Sequence, residues 1–221
     1  MTATATASSL RFALVLTMTG GFLDAYTYIS RGGVFANAQT GNVILLGVDL
    51  SDGRVADALH HLWPILAFVA GVALANFLKS ERAQHTSFHP LRSAVALQVV
   101  VLTVVGFLSD SVPDSAVTIP IAFVAAMQMG LFRAVGEFAY IAIATTGNLM
   151  RFTESGYRAV VEHKRDEWRA VRVYAAIVVA FAVGAVIGAI LTRLWHTHAA
   201  WVPAALLAAT LVLFVLDERA R

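Results

Sequence analysis

The chain is predicted to be an all-α polytopic membrane protein, with about six transmembrane helices arranged as two inverted three-helix repeats. Three observations lead there. First, of 221 residues 58% are hydrophobic and only 14% charged, with a mean hydropathy of +0.72. Soluble domains carry about 25% charged residues, so these are too few to cover a globule. Second, the apolar residues come in long blocks without helical or strand alternation, the pattern of an integral membrane protein. Third, Thr-Gly-Asn occurs twice in apolar surroundings, as Thr40-Gly41-Asn42 and Thr146-Gly147-Asn148.

The flanks of the two copies also match. Gly21-Phe-Leu-Asp24 precedes the first and Gly130-Leu-Phe-Arg133 the second, each glycine, two apolar residues and a charge. After them come Gly71-Val-Ala-Leu-Ala75 and Gly184-Ala-Val-Ile-Gly188, with the same small-residue spacing. The halves are read as 10–108 and 117–216, within one membrane domain of 10–216, between an N-terminal tail 1–9 and a C-terminal tail 217–221.

In chain order, the first span is Leu10 to Ile29. No small-x-small cleavage site follows it, so it reads as a permanent span rather than a signal peptide. Arg31 to Leu50 is semi-apolar, broken by Gly32-Gly33, Asn37, Gln39 and the first Thr-Gly-Asn. A polar loop, Asp49–His61, leads to a second span, Leu62–Leu78, opening with Trp63-Pro64. Pro is suited to a first helical turn and Trp to the interface. A basic loop, Lys79–Arg92, precedes a third span, Ser93–Leu108. A short acidic loop with Asp110 and Asp114 precedes the fourth, Val117–Phe132. Arg133, Glu137 and the apolar stretch Phe138–Ala144 lead into the second Thr-Gly-Asn, and Arg151–Arg172 is the most charged segment. Within it, Tyr157–Arg172 is read as a solvated cytoplasmic loop or helix or as a dock for anionic lipid headgroups. The last spans are Val171–Leu191 and Trp201–Leu216.

Lys and Arg set the orientation. Six spans with the N-terminus inside leave 12 of the 16 Lys and Arg on the inner side, with Arg31, Arg54 and Arg193 outside and Arg133 at a span end. If both Thr-Gly-Asn segments crossed fully, the basic loop would lie outside and the acidic loop inside, against the charge rule. The segments are therefore expected to be re-entrant. Three spans per half invert the second half relative to the first, so the two motifs approach the midplane from opposite sides, a recurring transporter and channel plan.

Gly20-Gly-Phe-Leu-Asp-Ala-Tyr-Thr-Tyr, Phe35-Ala-Asn-Ala-Gln-Thr-Gly-Asn and Leu45-Leu-Gly together resemble the signature of the YoaK-type bacterial membrane proteins, a family of unknown function. The resemblance covers nearly the whole chain. At Arg133 the sequence departs from the Gly-x-x-Asn expected of the second element. The resemblance implies an inner-membrane protein of about six spans, often guessed to be a permease, and implies no substrate.

The candidate site residues are Asp24, Asn37, Gln39, Thr40, Gly41, Asn42, Gln128, Arg133, Thr146, Gly147 and Asn148. Gly permits a tight turn, and Thr and Asn can cap a helix start near Asn42, aiming its positive end into the membrane toward an anion or carboxylate. The plainer reading is a close helix crossing with side-chain caps and no ligand. Asp24 is the one ionisable residue between Phe12 and Ile29. Intramembrane carboxylates mark proton and ion routes. Alternatively Asp24 caps the Gly32-Gly33 turn or pairs with Arg31. Arg133 attracts an anion at the inner mouth, or forms a helical pair with Glu137 four residues on. Gln128, Asn37 and Gln39, with Asn76 and Gln98, line a pathway or hold helices together. Gly184-x-x-x-Gly188 and Gly71-x-x-x-Ala75 are expected to pack helices within the monomer rather than across a dimer seam.

The function expected is a small-molecule or ion permease of the bacterial inner membrane, with both termini cytoplasmic and Asp24 as the candidate for proton coupling. The alternative is a non-transporting lipid-binding or scaffolding protein whose repeated motifs serve packing. No Ser-His-Asp order, phosphate loop or zinc helix occurs, so an enzyme is not expected. Nor is a cofactor, metal or nucleic-acid partner. The expected partners are the lipid bilayer and an unidentified small molecule or ion, with homo-oligomerisation open.

Overall fold

The computed structural model describes residues 9–80, 90–132, 134–135, 138–139 and 145–219. Arg133, Glu137, the stretch 140–144, Arg82 and the tails 1–8 and 220–221 lie outside the described residues. The described chain is helical apart from one two-residue ladder. In order come α1 (Leu10–Ser30), α2 (Gln39–Ser51), α3 (Val55–Lys79), α4 (Pro90–Val105), α5 (Asp114–Leu131), the strands β1 (Ala134–Val135) and β2 (Phe138–Ala139), α6 (Thr145–Val160), α7 (Glu167–Trp195), a 3-10 turn (His196–Ala200) and α8 (Trp201–Arg219). By length and apolarity α1, α3, α5 and the stretch Glu167–Leu213 are able to cross a membrane. The 3-10 turn divides that last stretch into α7 and α8, and α4 is a shorter apolar helix.

Helix ends follow local chemistry. The Ser9 hydroxyl accepts the Phe12 N–H and caps α1. Pro90 opens α4, where its missing N–H is harmless. Two boundaries differ from the sequence reading. The polar loop expected over Asp49–His61 shrinks to 52–54, because α2 runs to Ser51 and α3 begins at Val55. Pro64 consequently lies inside α3 rather than in its first turn. Residues 55–61 are helical, and buried Asp49 of α2 meets His61 of α3 at 3.3 Å, which tethers the two helices. The pair expected of Arg133 and Glu137 falls outside the described residues; beside it Ala134–Val135 and Phe138–Ala139 are extended and antiparallel.

Glycines set the two closest crossings. α1 and α7 run parallel, with Gly184 against the Met18 carbonyl, Gly188 against the Phe22 carbonyl and Gly21 against the Phe181 carbonyl. A Cβ at any of these would overlap backbone. α3 and α5 are also parallel, with Gly71 against the Phe123 carbonyl and Gly130 against Ala75. The small-residue motifs thus close helices within the chain. Gly in a helix costs about 1 kcal/mol relative to Ala, offset here by close packing.

The remaining contacts fix every direction. Phe12 at the start of α1 meets Phe132 just after α5, with ring centroids 4.9 Å apart. Arg31 after α1 faces Asp114 at the start of α5, so these helices are antiparallel. The start of α4 packs on Phe12 and Phe132, and its end lies at His198, whose Nδ1 is 2.8 Å from the Gly106 carbonyl. The Trp201 indole donates to the Thr103 carbonyl, so α8 descends beside α4. Taking the start of α1 as the lower end, α1, α4 and α7 rise while α3, α5 and α8 descend. The core gathers Leu16 and Leu23 of α1, Leu102 of α4, Ile121 of α5, Ile177 of α7 and Leu207 of α8.

The outer surface is apolar. Leu66, Val69 and Phe77 of α3, Val100 and Val104 of α4, Val179, Val183 and Val186 of α7, and Val212 and Leu213 of α8 all face outward. The ends differ in charge. The upper end carries Arg31, Arg54 and Arg193 among Asp49, Asp52, Asp57, Asp110 and Asp114, while Arg11, Lys79, Arg92, Arg158, Lys164, Arg165, Arg169 and Arg172 gather at the lower end.

Candidate functional site

Past α1 the chain reverses at Arg31–Gly33 and runs back down beside it. Thr27 Oγ1 accepts the Ala36 N–H at 3.1 Å, and the Asn37 amide donates to the Gly20 carbonyl at 3.0 Å. Gly20 is the eleventh of the 21 residues of α1, so the segment descends to the middle of that helix. There it turns into α2, which climbs back to the upper end and meets the start of α3 through Asp49 and Arg54.

Both Thr-Gly-Asn copies occupy the second to fourth residues of their helices, α2 from Gln39 and α6 from Thr145. Each of these helices packs on the long helix that follows it. The caps expected of Thr and Asn are not what the first copy uses. α2 begins before the motif, its N-cap is Ala38 without a side-chain hydrogen bond, and Thr40 is exposed. Asn42 is instead fully buried and reaches back to Phe35. Its Oδ1 accepts the Phe35 N–H at 2.9 Å, and its Nδ2 donates to the Phe35 carbonyl at 2.6 Å and to Gln39 Oε1 at 2.8 Å. An amide side chain here replaces a neighbouring strand, which satisfies an otherwise orphaned backbone pair. Gln39 in turn donates to the Ala36 carbonyl. Gly41 lies under the Phe35 ring, which stacks on Tyr28.

Asp24 is buried at the foot of this element. Its Oδ1 accepts the N–H of Asn37 at 2.7 Å and of Ala38 at 3.3 Å, the two residues ahead of α2. It neither caps the Gly32-Gly33 turn nor pairs with Arg31. The anion expected at the positive end of this helix is therefore the protein's own carboxylate. Asp24 Oδ2 and Asn37 Oδ1 are both buried and make no hydrogen bond among the described residues.

The sequence-predicted residues Asp24, Asn37, Gln39, Gly41 and Asn42 thus come together, with Thr40 at the rim. In the second half Asn148 is buried, Thr146 is exposed, and Gly147 meets nothing within 4 Å among the described residues. Gln128 sits elsewhere. Val95, Phe12 and Phe132 line one apolar cleft. At 1.5 Å per residue, Gln98, Gln128 and Thr17 stand about 4.5–7.5 Å above it, and Gly20 about 12 Å above it. All three are buried, with an oxygen that makes no hydrogen bond among the described residues. Sequence reasoning missed Thr17, Thr27 and Phe35. Thr27 lies one turn beyond Asp24 on the same helix face, a spacing that marks it as a partner of the same loop. The part played by Phe35 is carried by its backbone, which no side-chain pattern announces.

This chain belongs to the family described as protein of unknown function DUF1275, whose profile matches residues 12–213. It is similar to the UPF0700 transmembrane protein YoaK of Bacillus subtilis (strain 168), at 27% identity over 210 residues, covering 91% of this chain and 93% of that one. No solved structure matches. The relative is a transmembrane protein and the helices described here are apolar outside, so this is a helical membrane protein of a family without an assigned activity.

Proposed function

We propose that the protein is a small-molecule or ion permease of the bacterial inner membrane, built from six spans in two inverted repeats, with α2 and α6 re-entrant. The observation that carries this reading is Asp24, a carboxylate held midway along the bundle by the backbone where the chain turns into α2, with one oxygen left over. Intramembrane carboxylates are expensive and mark ion or proton routes. Below it, Gln128, Gln98 and Thr17 continue a polar line toward the lower end. The alternating helix directions support six crossings, since eight would set α1 and α5 parallel. The exchange of packing partners supports the repeat: α1 on α7 matches α5 on α3, and α2 on α3 matches α6 on α7. The charge asymmetry supports a cytoplasmic lower end, with both termini on that side.

The alternative is a non-transporting scaffold or lipid-binding protein. It is favoured by Asn42, whose amide is fully spent on Phe35 and Gln39.

Two experiments separate these. The chain has no cysteine, so single cysteines at the exposed positions Thr40 and Thr146 report sidedness. An impermeant thiol reagent should label Thr40→Cys only in intact cells and Thr146→Cys only in inverted vesicles. Labelling of both from one side breaks the inverted arrangement. In liposomes loaded with a pH dye, a panel of small organic acids, amines and sugars should drive acidification through the wild type and not through Asp24→Asn. Silence across the panel, with partners co-purifying, favours the scaffold.

A further inference from the structure

Among the described residues, Arg31 is the largest fully buried side chain. Its Nε, Nη1 and Nη2 make no hydrogen bond among the described residues. A buried guanidinium has five N–H donors to satisfy, and leaving them without partners is costly. Its neighbours are the Tyr26 hydroxyl and, at ion-pair distance, two carboxylates, Asp114 at 3.8 Å and Asp110 at 3.9 Å. Asp114 is the first residue of α5 and Asp110 lies in the short connection into it, and their side chains are 30% and 61% exposed. A well-formed guanidinium–carboxylate pair is bidentate at about 2.7–2.9 Å. Here the charge is matched and the hydrogen bonds are not made.

The backbone explains why Arg31 sits still while the acids do not close on it. Arg31 ends α1, its N–H bonded to the Thr27 carbonyl, and the chain leaves through Gly32 at φ +68°. A side chain at Gly32 would press on the Asp114 carboxylate, so glycine lets that carboxylate lie over the turn. Asp110 also faces His196 Nδ1 at 4.0 Å. Asp110 is thus shared with an exposed neighbour, while the guanidinium is fully buried.

We infer that Arg31 is a recognition site for the carboxylate group of a small solute at the upper mouth, with Asp110 and Asp114 as built-in competitors that hold the guanidinium when no solute is bound. A guanidinium fork matches a planar carboxylate, and the groups already drawn to it are carboxylates. Arg31 follows Asp24 by seven residues, two turns along the same helix face and about 10 Å higher. A solute carboxylate at Arg31 therefore lies above the free oxygen of Asp24, on the line the permease reading uses. The site rests on that reading only for the solute's fate, because binding is measurable without flux.

The test is thermal unfolding of the full-length protein in detergent, followed through its four tryptophans, with sodium acetate titrated against sodium chloride at constant ionic strength. Acetate should raise the midpoint of the wild type in a saturable way. In Asp110→Asn/Asp114→Asn the competitors are gone, so half-saturation should fall by at least about threefold. Arg31→Lys keeps a charge and loses the fork, and should lose the response. If Arg31→Lys does not fold, the double asparagine variant still decides, since there the guanidinium is intact. A merely structural ion pair predicts the reverse: the double variant is less stable and no more responsive to acetate. Equal acetate effects in all variants, or a response to inorganic phosphate without one to acetate, overturn the assignment. Solute flux without acetate binding ends this inference and leaves the permease standing. Acetate binding without flux supports the site and counts against the permease.

Discussion

α2 and α6 carry the same three residues at the same helical positions, yet their surroundings have little in common. α2 is apolar, with Asp49 as its one charge, and exposes Val43, Ile44 and Val48. α6 carries Arg151, Glu154 and Arg158, and Arg158 bonds Glu167 at the start of α7. Asp24 stands before the first motif, and in the matching place before the second the sequence has Arg133. What the copies share is a buried asparagine at the fourth helical residue. In the first copy that asparagine fastens a short helix to its incoming chain. The flanks differ in sequence, where one half offers a carboxylate and the other an arginine.

The largest effect is expected at the shared asparagine. Asn42→Ala leaves the Phe35 N–H and carbonyl buried without partners, at about 1–3 kcal/mol for each group. The thermal midpoint in detergent should collapse. An equal loss in Asn148→Ala would show that the second motif is fastened in the same way, and a small one would confine the fastening to the first. Next come the close crossings. Gly184→Val drives a side chain into the Met18 carbonyl and should cost about 1–3 kcal/mol, with reduced yield of folded protein. Gly71→Val should do the same through Phe123, and a harmless result in one pair alone would break the equivalence of α1–α7 and α3–α5.

Asp24→Asn should change stability by only about 1 kcal/mol, because an amide oxygen still accepts from Asn37 and Ala38. It should nevertheless abolish pH-dependent flux, and preserved flux would remove Asp24 from the route. The smallest contrast lies at the motif glycines. Gly147→Ala meets open space among the described residues and should be neutral or stabilising by up to about 1 kcal/mol. Gly41→Ala must displace the Phe35 ring from Tyr28 and should destabilise. The opposite order in unfolding experiments would mean that the first motif tolerates more than its packing implies.

Much of this was legible in the chain itself. Apolar blocks without alternation mark helices that face lipid, because that signal depends only on composition along the chain. The recurrence of Thr-Gly-Asn and the carboxylate of Asp24 are visible for the same reason. Tertiary structure decided where the polar groups went. That Asp24 turns to Asn37 rather than Arg31, that Asn42 answers Phe35 rather than capping α2, and that Arg31 is buried before Asp110 and Asp114 all depend on a chain that folds back along α1. Those partners are backbone groups or residues of distant helices. A buried polar group takes whichever partner the packing brings within hydrogen-bonding distance, and that choice is written in no local pattern.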